Sequence, residues 1–300
     1  MKILLIGRNG QVAWELRRTL ACLGEVIAID RNSGPVKVDL ADADSVRTSI
    51  RQIKPQLIVN AAAYTAVDKA EQEEDLAFRI NAIAPGVMAA EAKRLGAGLI
   101  HYSTDYVFPG NATSPYQETD PTGPQNVYGR SKLAGEQAIA EAGGSHFILR
   151  TAWVYGSRGH NFLLTMLKLM RERELLRVVD DQFGAPTWSR MIAEATALMI
   201  ARSVQGGEFA PGDHSGTYHL SNGGQTSWFA FAAMIREHAM SRGLLGERCA
   251  TLLSIPSKDY PTPAKRPGYS VLDNGKLQSK LSLFMPSWQD ALMLCLAELG

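Results

Sequence analysis

The opening of the chain limits the fold more than any other stretch. Lys2–Ile6 is a short apolar run that ends on Gly7, as a buried parallel strand does, and Gln11–Cys22 follows with Val12, Leu16 and Leu20 at helical spacing. The same alternation then repeats. Glu25–Asp30 reads as a second strand with an acid at its end, and a third short strand is expected to end at Asp39-Leu40. Asp42–Ile53 reads as a helix, and Pro55 separates it from a strand over Gln56–Asn60. Ala77–Leu95 is helical with a break or restart at Pro85, and Gly98–Ser103 is the next strand. A loop rich in Pro, Gly, Asn and Thr covers Pro109–Gln125, before a helix over Tyr128–Glu141 and a strand over His146–Arg150. Strands alternating with helices imply right-handed crossovers and a parallel sheet covered on both faces.

Beyond Arg150 the alternation loosens. Asn161–Glu174 and Arg190–Ser203 have helical patterns, Thr217–Leu220 and Leu252–Ile255 read as short strands, and the four prolines of Pro256–Pro267 predict irregular chain. The expected fold class is α/β, a Rossmann-type doubly wound parallel sheet with a smaller C-terminal α+β domain. Residues 1–150 form the dinucleotide-binding part. Residues 151–300 mainly form the substrate domain, part of which packs back on the sheet.

With 45% hydrophobic and 20% charged residues the chain has the balance of an ordinary globular protein. Its net charge of +1 argues against a nucleic-acid or membrane partner. Cys22, Cys249 and Cys295 lie far apart without metal-ligand spacing, so they read as small apolar residues of a reducing compartment. The apolar run at the N-terminus is too short for a signal peptide or a membrane span. A cytoplasmic protein is expected.

Small residues recur at Gly7, Gly10 and Ala13 where the first strand meets the first helix. One glycine permits the tight turn and another lets backbone approach a pyrophosphate. A small third residue allows close packing of the helix. Unpaired N–H groups at the helix start then face the phosphates, with Asn9, Gln11 and Val12 alongside. The spacing departs from G-x-G-x-x-G, but its position directly after the first strand points to a dinucleotide rather than a bare turn. Asp30 is placed to accept from the adenosine ribose hydroxyls, which favours NADH. Arg31 and Arg8 would attract a 2′-phosphate, which favours NADPH, so both remain open. Asp39 and Leu40 are placed to bracket the adenine, although a helix cap is the plainer role for Asp39.

Tyr128 and Lys132 stand four residues apart, hence on one face of a helix. A nearby ammonium is expected to lower a phenol pKa from its ordinary value near ~10 and bring it into acid–base work. Tyr-x-x-x-Lys recurs by chance in helix-rich proteins, and the pair gains meaning from what surrounds it. Thr104 follows the Gly98–Ser103 strand, at the sheet end where ligands bind. Its hydroxyl could hold a substrate carbonyl oxygen while Tyr128 delivers the proton.

Together these residues carry a resemblance to the extended short-chain dehydrogenase/reductases. The chain is most similar there to the dTDP-4-dehydrorhamnose reductase family. The likeness rests on Gly7–Leu16, Val59–Glu71, His101–Phe108, Asn126–Gly129, Arg150–Tyr155, Asp181–Thr187 and Arg266–Gly268. It implies reduction of the C4 ketone of a dTDP-sugar with NADPH or NADH, with Tyr128, Lys132 and Thr104 catalytic. It implies that Gly7, Asn9, Gly10, Gln11, Val12, Asp30, Arg31, Asp39 and Leu40 line the cofactor. Ala61, Ala62, Ala63, Tyr64, Thr65, Tyr102, Tyr128 and Lys132 complete that lining. Thr104, Asp105, Tyr128, Trp153 and Arg266 would contact the sugar nucleotide.

The likeness also raises Mg2+ and a homodimer. Glu15 and Glu298 are candidate carboxylates, but Arg190 stands where a metal-binding acid would be expected, so no metal ligand is assigned and Glu15 is expected to be solvated. Two other readings stay open. One is a sugar-nucleotide epimerase or dehydratase, although a dehydratase would carry Asp-Glu after Thr104 and here Asp105-Tyr106 follows. The other is a non-catalytic NADP-binding subunit similar to the methionine adenosyltransferase β subunit.

Overall fold

Consecutive side chains of β1 (Lys2–Ile6) leave the strand on opposite faces, and both faces are covered. Ile3 and Leu5 enter one core cluster, whereas Leu4 and Ile6 enter another. The computed structural model, which describes residues 1–299, extends this arrangement through six parallel strands. These are β1, β2 (Glu25–Ile29), β3 (Leu57–Asn60), β4 (Gly98–Thr104), β5 (His146–Thr151) and β6 (Gly216–His219). Their order across the sheet is β2-β1-β3-β4-β5-β6, with every neighbouring pair parallel.

The first face packs against α1 (Gln11–Thr19) and the far later α8 (Ser189–Arg202), which lie side by side. Leu16 and Leu20 meet Ile192, Met199 and Ile200 over Ile100, Phe147 and Leu149. The second face packs against α2 (Ala43–Ile53), α5 (Ala84–Leu95) and α6 (Val127–Ala142), through Val46, Ile50, Met88, Ala92 and Ile139. Burial of each such Leu or Ile side chain is worth roughly 1.5–3 kcal/mol, so the alternation along each strand commits it to one register.

The sheet is doubly wound as expected, and its strand order reverses between β1 and β3. The carboxyl ends of these two strands therefore open a cleft, bounded by Gly7 and Ala61, where an α/β sheet takes its ligand. The second half of the chain divides. The helices α7 (Phe162–Glu172), α9 (Trp228–Ser241) and α11 (Trp288–Ala297) share a separate core around Met166, Phe231, Ile235, Trp288 and Leu292. By contrast α8, β6 and α10 (Gly275–Leu281) pack on the sheet, through Ile192, Tyr218 and Leu277.

Two expectations need correcting, and one strand is added. No strand forms before Asp39: Gly34-Pro35 breaks the extended run and Val38 N–H turns back onto Asp30 O at 3.1 Å, so β2 stays the sheet edge. The helix expected over Ala77–Leu95 starts earlier, at α4 (Glu74–Phe78), and passes through a π-turn at Arg79–Ile83 into α5. Pro85 sits in the first turn of α5, directly after the π-turn, where the regular bonding of the helix has already shifted to admit a residue without an N–H. Leu175–Val179, read as neither strand nor helix from the sequence, pairs in parallel with Thr251–Ile255. Between α2 and α4 the short helix α3 (Val67–Ala70) follows the β3 loop. No helix among the described residues is long and apolar enough to cross a membrane.

Candidate active site

The start of α6 is anchored on every side. Asn126 caps it by accepting from Gly129 N–H at 2.8 Å, while its amide donates to Lys265 O. Glu71 accepts from Val127 N–H at 2.8 Å. A Cβ on Gly129 would lie 2.3 Å from Tyr106 O, so only glycine lets this helix come so close to the segment after β4. The approach brings Tyr128 to Thr104 and edge-on to Tyr106, with ring centroids 5.6 Å apart. Thr104 in turn donates to Asp105 Oδ1 at 2.9 Å.

The electrostatics differ from the expected lowered phenol. Burial dominates and holds the Tyr128 pKa above its ordinary value, with the Thr104 hydrogen bond pulling the other way and the Asp105 charge adding to the rise. Lys132 does not reach the phenol with a hydrogen bond among those of the described residues. Its ammonium nitrogen donates to Tyr102 O at 2.6 Å and lies 3.1 Å from His101 Nε2. It is 1% exposed, and burial pushes its pKa down to about 8, opposed by Glu136 one turn along. Asp105 is buried, its Oδ2 has no hydrogen-bond partner, and desolvation pushes its carboxyl up to about 6.

On the nucleotide side, Gly7 adopts φ +102°, a left-handed backbone suited to glycine, and its N–H bonds Ile29 O. The N-terminus of α1 has no side-chain cap, unlike α2, α6, α7, α9 and α11, capped by Asp42, Asn126, Asn161, Ser227 and Ser287. Open space lies above Gly10. Free N–H groups at a helix start with room before them fit a pyrophosphate, so the residues present suit a dinucleotide. Gln11 and Val12 are half-buried and Asn9 is exposed; Gln11 Oε1 accepts from Asn161 Nδ2 at 2.9 Å.

Asp30 stands past β2 with its carboxylate bonded to Asn32 N–H and Ser33 Oγ, and Arg31 beside it is exposed. Arg8 lines, with Arg17, a cleft of about 380 Å³ over Val26 and Ala28. Asp39 accepts from Ala41 N–H, and Leu40 packs against the second-face core. Ala61, Ala62, Ala63, Tyr64 and Thr65 form the loop leaving β3; Tyr64 is pinned by Asn81 and its phenol donates to Glu73 at 2.7 Å. The Tyr102 phenol points to the opposite sheet face, 2.8 Å from Thr196 Oγ1, so only its carbonyl reaches the Lys132 side.

On the sugar side, Trp153 holds φ +45°, rarely adopted by a side-chain-bearing residue, and stacks flat on Trp228 with centroids 3.4 Å apart. Arg266 donates to Asp68 at 2.7 Å and keeps a buried Nη1 without partner. Trp228, Asn60 and His101 were not assigned from the sequence. Asn60 and His101 could have been found, since Asn60 closes one apolar strand and His101 interrupts the next; Trp228 carries no local signal beyond following the capping Ser227.

Glu15 corrects another expectation. It is 5% exposed, pairs with Arg18 at 3.2 Å and Arg190 at 3.3 Å, and Arg190 also pairs with Glu298. A guanidinium thus sits between the two carboxylates, and among the described residues no cluster of three His, Cys, Asp or Glu could hold a metal. The residues do not fit Mg2+ here.

Comparison with known proteins agrees with this geometry. The RmlD substrate binding domain family matches residues 1–300. A dTDP-4-dehydrorhamnose reductase of Burkholderia thailandensis is 47% identical over 301 residues, covering 100% of this chain and 99% of the relative. The crystal structure of a dTDP-4-dehydrorhamnose reductase from Clostridium acetobutylicum gives a TM-score of 0.89 at 36% identity, covering 100% of this chain and 99% of that one. One from Bacillus anthracis, in complex with NADP, gives 0.86 at 35% identity over 99% of each chain.

Proposed function

The chain belongs to the RmlD substrate binding domain family, and from that premise we propose that it reduces dTDP-4-dehydro-L-rhamnose to dTDP-L-rhamnose at the C4 ketone. The observation that carries the catalytic reading is that Tyr128 meets Thr104 where β4 ends and α6 begins, with Lys132 one helical turn further along α6 and held on Tyr102 O. Residues 1–150 would carry the dinucleotide and much of the remainder the sugar nucleotide. The free α1 N–H groups would hold the pyrophosphate.

When bound, reduced nicotinamide supplies the hydride that forms the new C–H bond at C4. Tyr128 gives its proton to the carbonyl oxygen, which becomes the product hydroxyl. A phenol kept protonated by burial is loaded for that step, and Thr104 holds the oxygen as its charge grows. General acid help is worth roughly 10²–10⁴ in rate, and one hydrogen bond to a developing oxyanion about 10²–10³. Lys132, held by Tyr102 O, positions the nicotinamide ribose and steadies the tyrosinate left behind. Asp105 and the Trp153–Trp228 stack are placed to orient the sugar, and Arg266 to meet the diphosphate. The three free thiols suit a cytoplasmic enzyme.

The test supplies dTDP-4-dehydro-L-rhamnose with NADPH and, in parallel, NADH, and follows loss of reduced-nicotinamide absorbance with product mass. Stoichiometric oxidation with dTDP-L-rhamnose formed supports the reading. Product formed while the cofactor stays reduced means epimerisation, and no turnover with NADP still bound means a binding subunit.

A further inference from the structure

A chain of three buried polar side chains runs beneath the candidate site, from β3 through β4 to α6. Asn60 and His101 are register partners on adjacent strands, each 1% exposed. Asn60 Nδ2 lies 3.0 Å from His101 Nδ1, and His101 Nε2 lies 3.1 Å from Lys132 Nζ. The direction of each bond follows from one backbone donor. Ala62 N–H, 3.2 Å from Asn60 Oδ1, can only donate, so that oxygen accepts and the amide nitrogen must face His101.

An amide nitrogen also only donates. His101 Nδ1 therefore keeps its lone pair, and the neutral ring carries its proton on Nε2. That N–H points at Lys132 Nζ. An ammonium there would oppose donor to donor, whereas the neutral amine has a lone pair to accept with and can still donate to Tyr102 O. We propose that His101, fixed by Asn60 in its Nε2–H tautomer, is a positioning residue that holds Lys132 against Tyr102 and lowers its affinity for a proton.

Burial acts on both partners in the same direction. It holds His101 well below its ordinary range, so the ring stays neutral, and it brings Lys132 down to about 8. Other groups facing the pair come from three elements. On α6 there are Tyr128 and Glu136, of which Glu136 raises Lys132. On β5 Arg150 is engaged by Glu136, and beyond the end of β4 lies Asp105. The inference deepens the reductase reading and rests on it for its catalytic consequence alone. Lys132 is set to change charge within the working pH range because burial, and with it the opposed His101 N–H, pushes down while Glu136 pushes up.

The test uses the full-length, ligand-free protein. The ¹⁵N spectrum of labelled histidine, with His101 assigned from its loss in His101→Leu, should show Nε2 protonated and Nδ1 bare. The ¹³Cε titration of Lys132 should move to higher pH by about one unit in His101→Leu, where the opposing N–H is gone. It should also rise in Asn60→Asp, whose carboxylate accepts from Nδ1–H and inverts the tautomer while keeping the ring. With substrate present, the alkaline limb of kcat should follow the same shifts, with KM changing less than about two-fold. A wild-type ring protonated on Nδ1, or a Lys132 titration unmoved when the tautomer inverts, overturns the inference. If His101→Leu fails to fold, the wild-type tautomer and Asn60→Asp still decide it. Wild-type protein without reductase turnover would remove the function proposed above, and the two resonance measurements would then decide this inference alone.

Discussion

Glu136 and Arg150 form a two-pronged ion pair inside the protein. Arg150 Nη2 donates to Glu136 Oε2 at 2.7 Å and Nε to Oε1 at 3.0 Å, with both side chains 6% exposed. Ser103 donates to the same carboxylate, so α6, β4 and β5 are tied at one point, one helical turn from Lys132. The pair thus joins the packing of the sheet to the charge of the site.

Replacing Glu136 by Gln leaves Arg150 charged and buried beside an amide. Breaking one side of such a pair typically costs about 3–5 kcal/mol, so urea unfolding should show a loss of that order. Lys132 also loses the neighbour that raises its pKa. The alkaline limb of kcat should therefore move to lower pH, opposite to the shift expected for His101→Leu. An unmoved limb in folded Glu136→Gln would separate Lys132 from catalysis.

Tyr128→Phe removes the proton donor while keeping the ring packed on Tyr106. Turnover should fall by about 10²–10⁴, with NADPH affinity, read by fluorescence titration, little changed. Thr104→Val should lower kcat by about 10²–10³ with a smaller effect on KM. If Tyr128→Phe retained full turnover, the proton would have to come from another group, and Asp105 would be the first to examine.

Asp105 bears on stability through pH. Its carboxyl is raised to about 6 in the folded protein against an ordinary 3.8. Between those values the folded state binds more protons than the unfolded chain, so stability falls as pH rises through the window. Asp105→Asn removes that slope. It should match the wild type at about pH 3.5 and exceed it by about 1–3 kcal/mol at about pH 7.5. Equal stability at both pH values would mean that the carboxylate is better solvated than its burial indicates.

Arg31 and Asp30 set cofactor choice in opposite senses. The Asp30 carboxylate is already bonded to Asn32 N–H and Ser33, which blunts its repulsion of a 2′-phosphate, while Arg31 is exposed and free to reach one. Arg31→Ala should raise KM for NADPH about five- to ten-fold and leave NADH within about two-fold, a loss of about 1 kcal/mol of phosphate contact. Equal effects on both cofactors would place the 2′-phosphate elsewhere.

The strands β1 to β5 and the glycine loop were legible because burial on both faces makes each strand a continuous apolar run with a sharp end. Tyr128, Lys132 and Thr104 could be brought together because helix periodicity and strand ends are local geometry. What could not be read depends on contacts far along the chain. Nothing near Asp39 reveals that Val38 folds back to Asp30, and Leu175–Val179 is too exposed to show a buried-strand pattern. The burial of Lys132, which overrides the expected effect on Tyr128, follows from β4 and α6 meeting 30 residues apart. The fate of Glu15 required α8 and α11 to come back to α1.

Arg190 is the residue by which that return is held. It lies between Glu15 on α1 and Glu298 after α11, with Arg18 also on Glu15 and Ser157 Oγ donating to Glu298 at 3.1 Å. Arg190→Ala strands a carboxylate that is 5% exposed and frees another. One remaining partner, Arg18, is itself exposed, so the loss should lie between that of a surface pair and a buried one, about 1–3 kcal/mol by thermal or urea unfolding. Because the guanidinium already supplies the positive charge, a chelator should change neither the unfolding midpoint nor turnover of the wild type. Adding Mg2+ should partly restore Arg190→Glu, where three carboxylates would converge, and leave Arg190→Ala nearly unchanged. A wild-type protein destabilised by chelation would show that a cation shares this cluster despite Arg190.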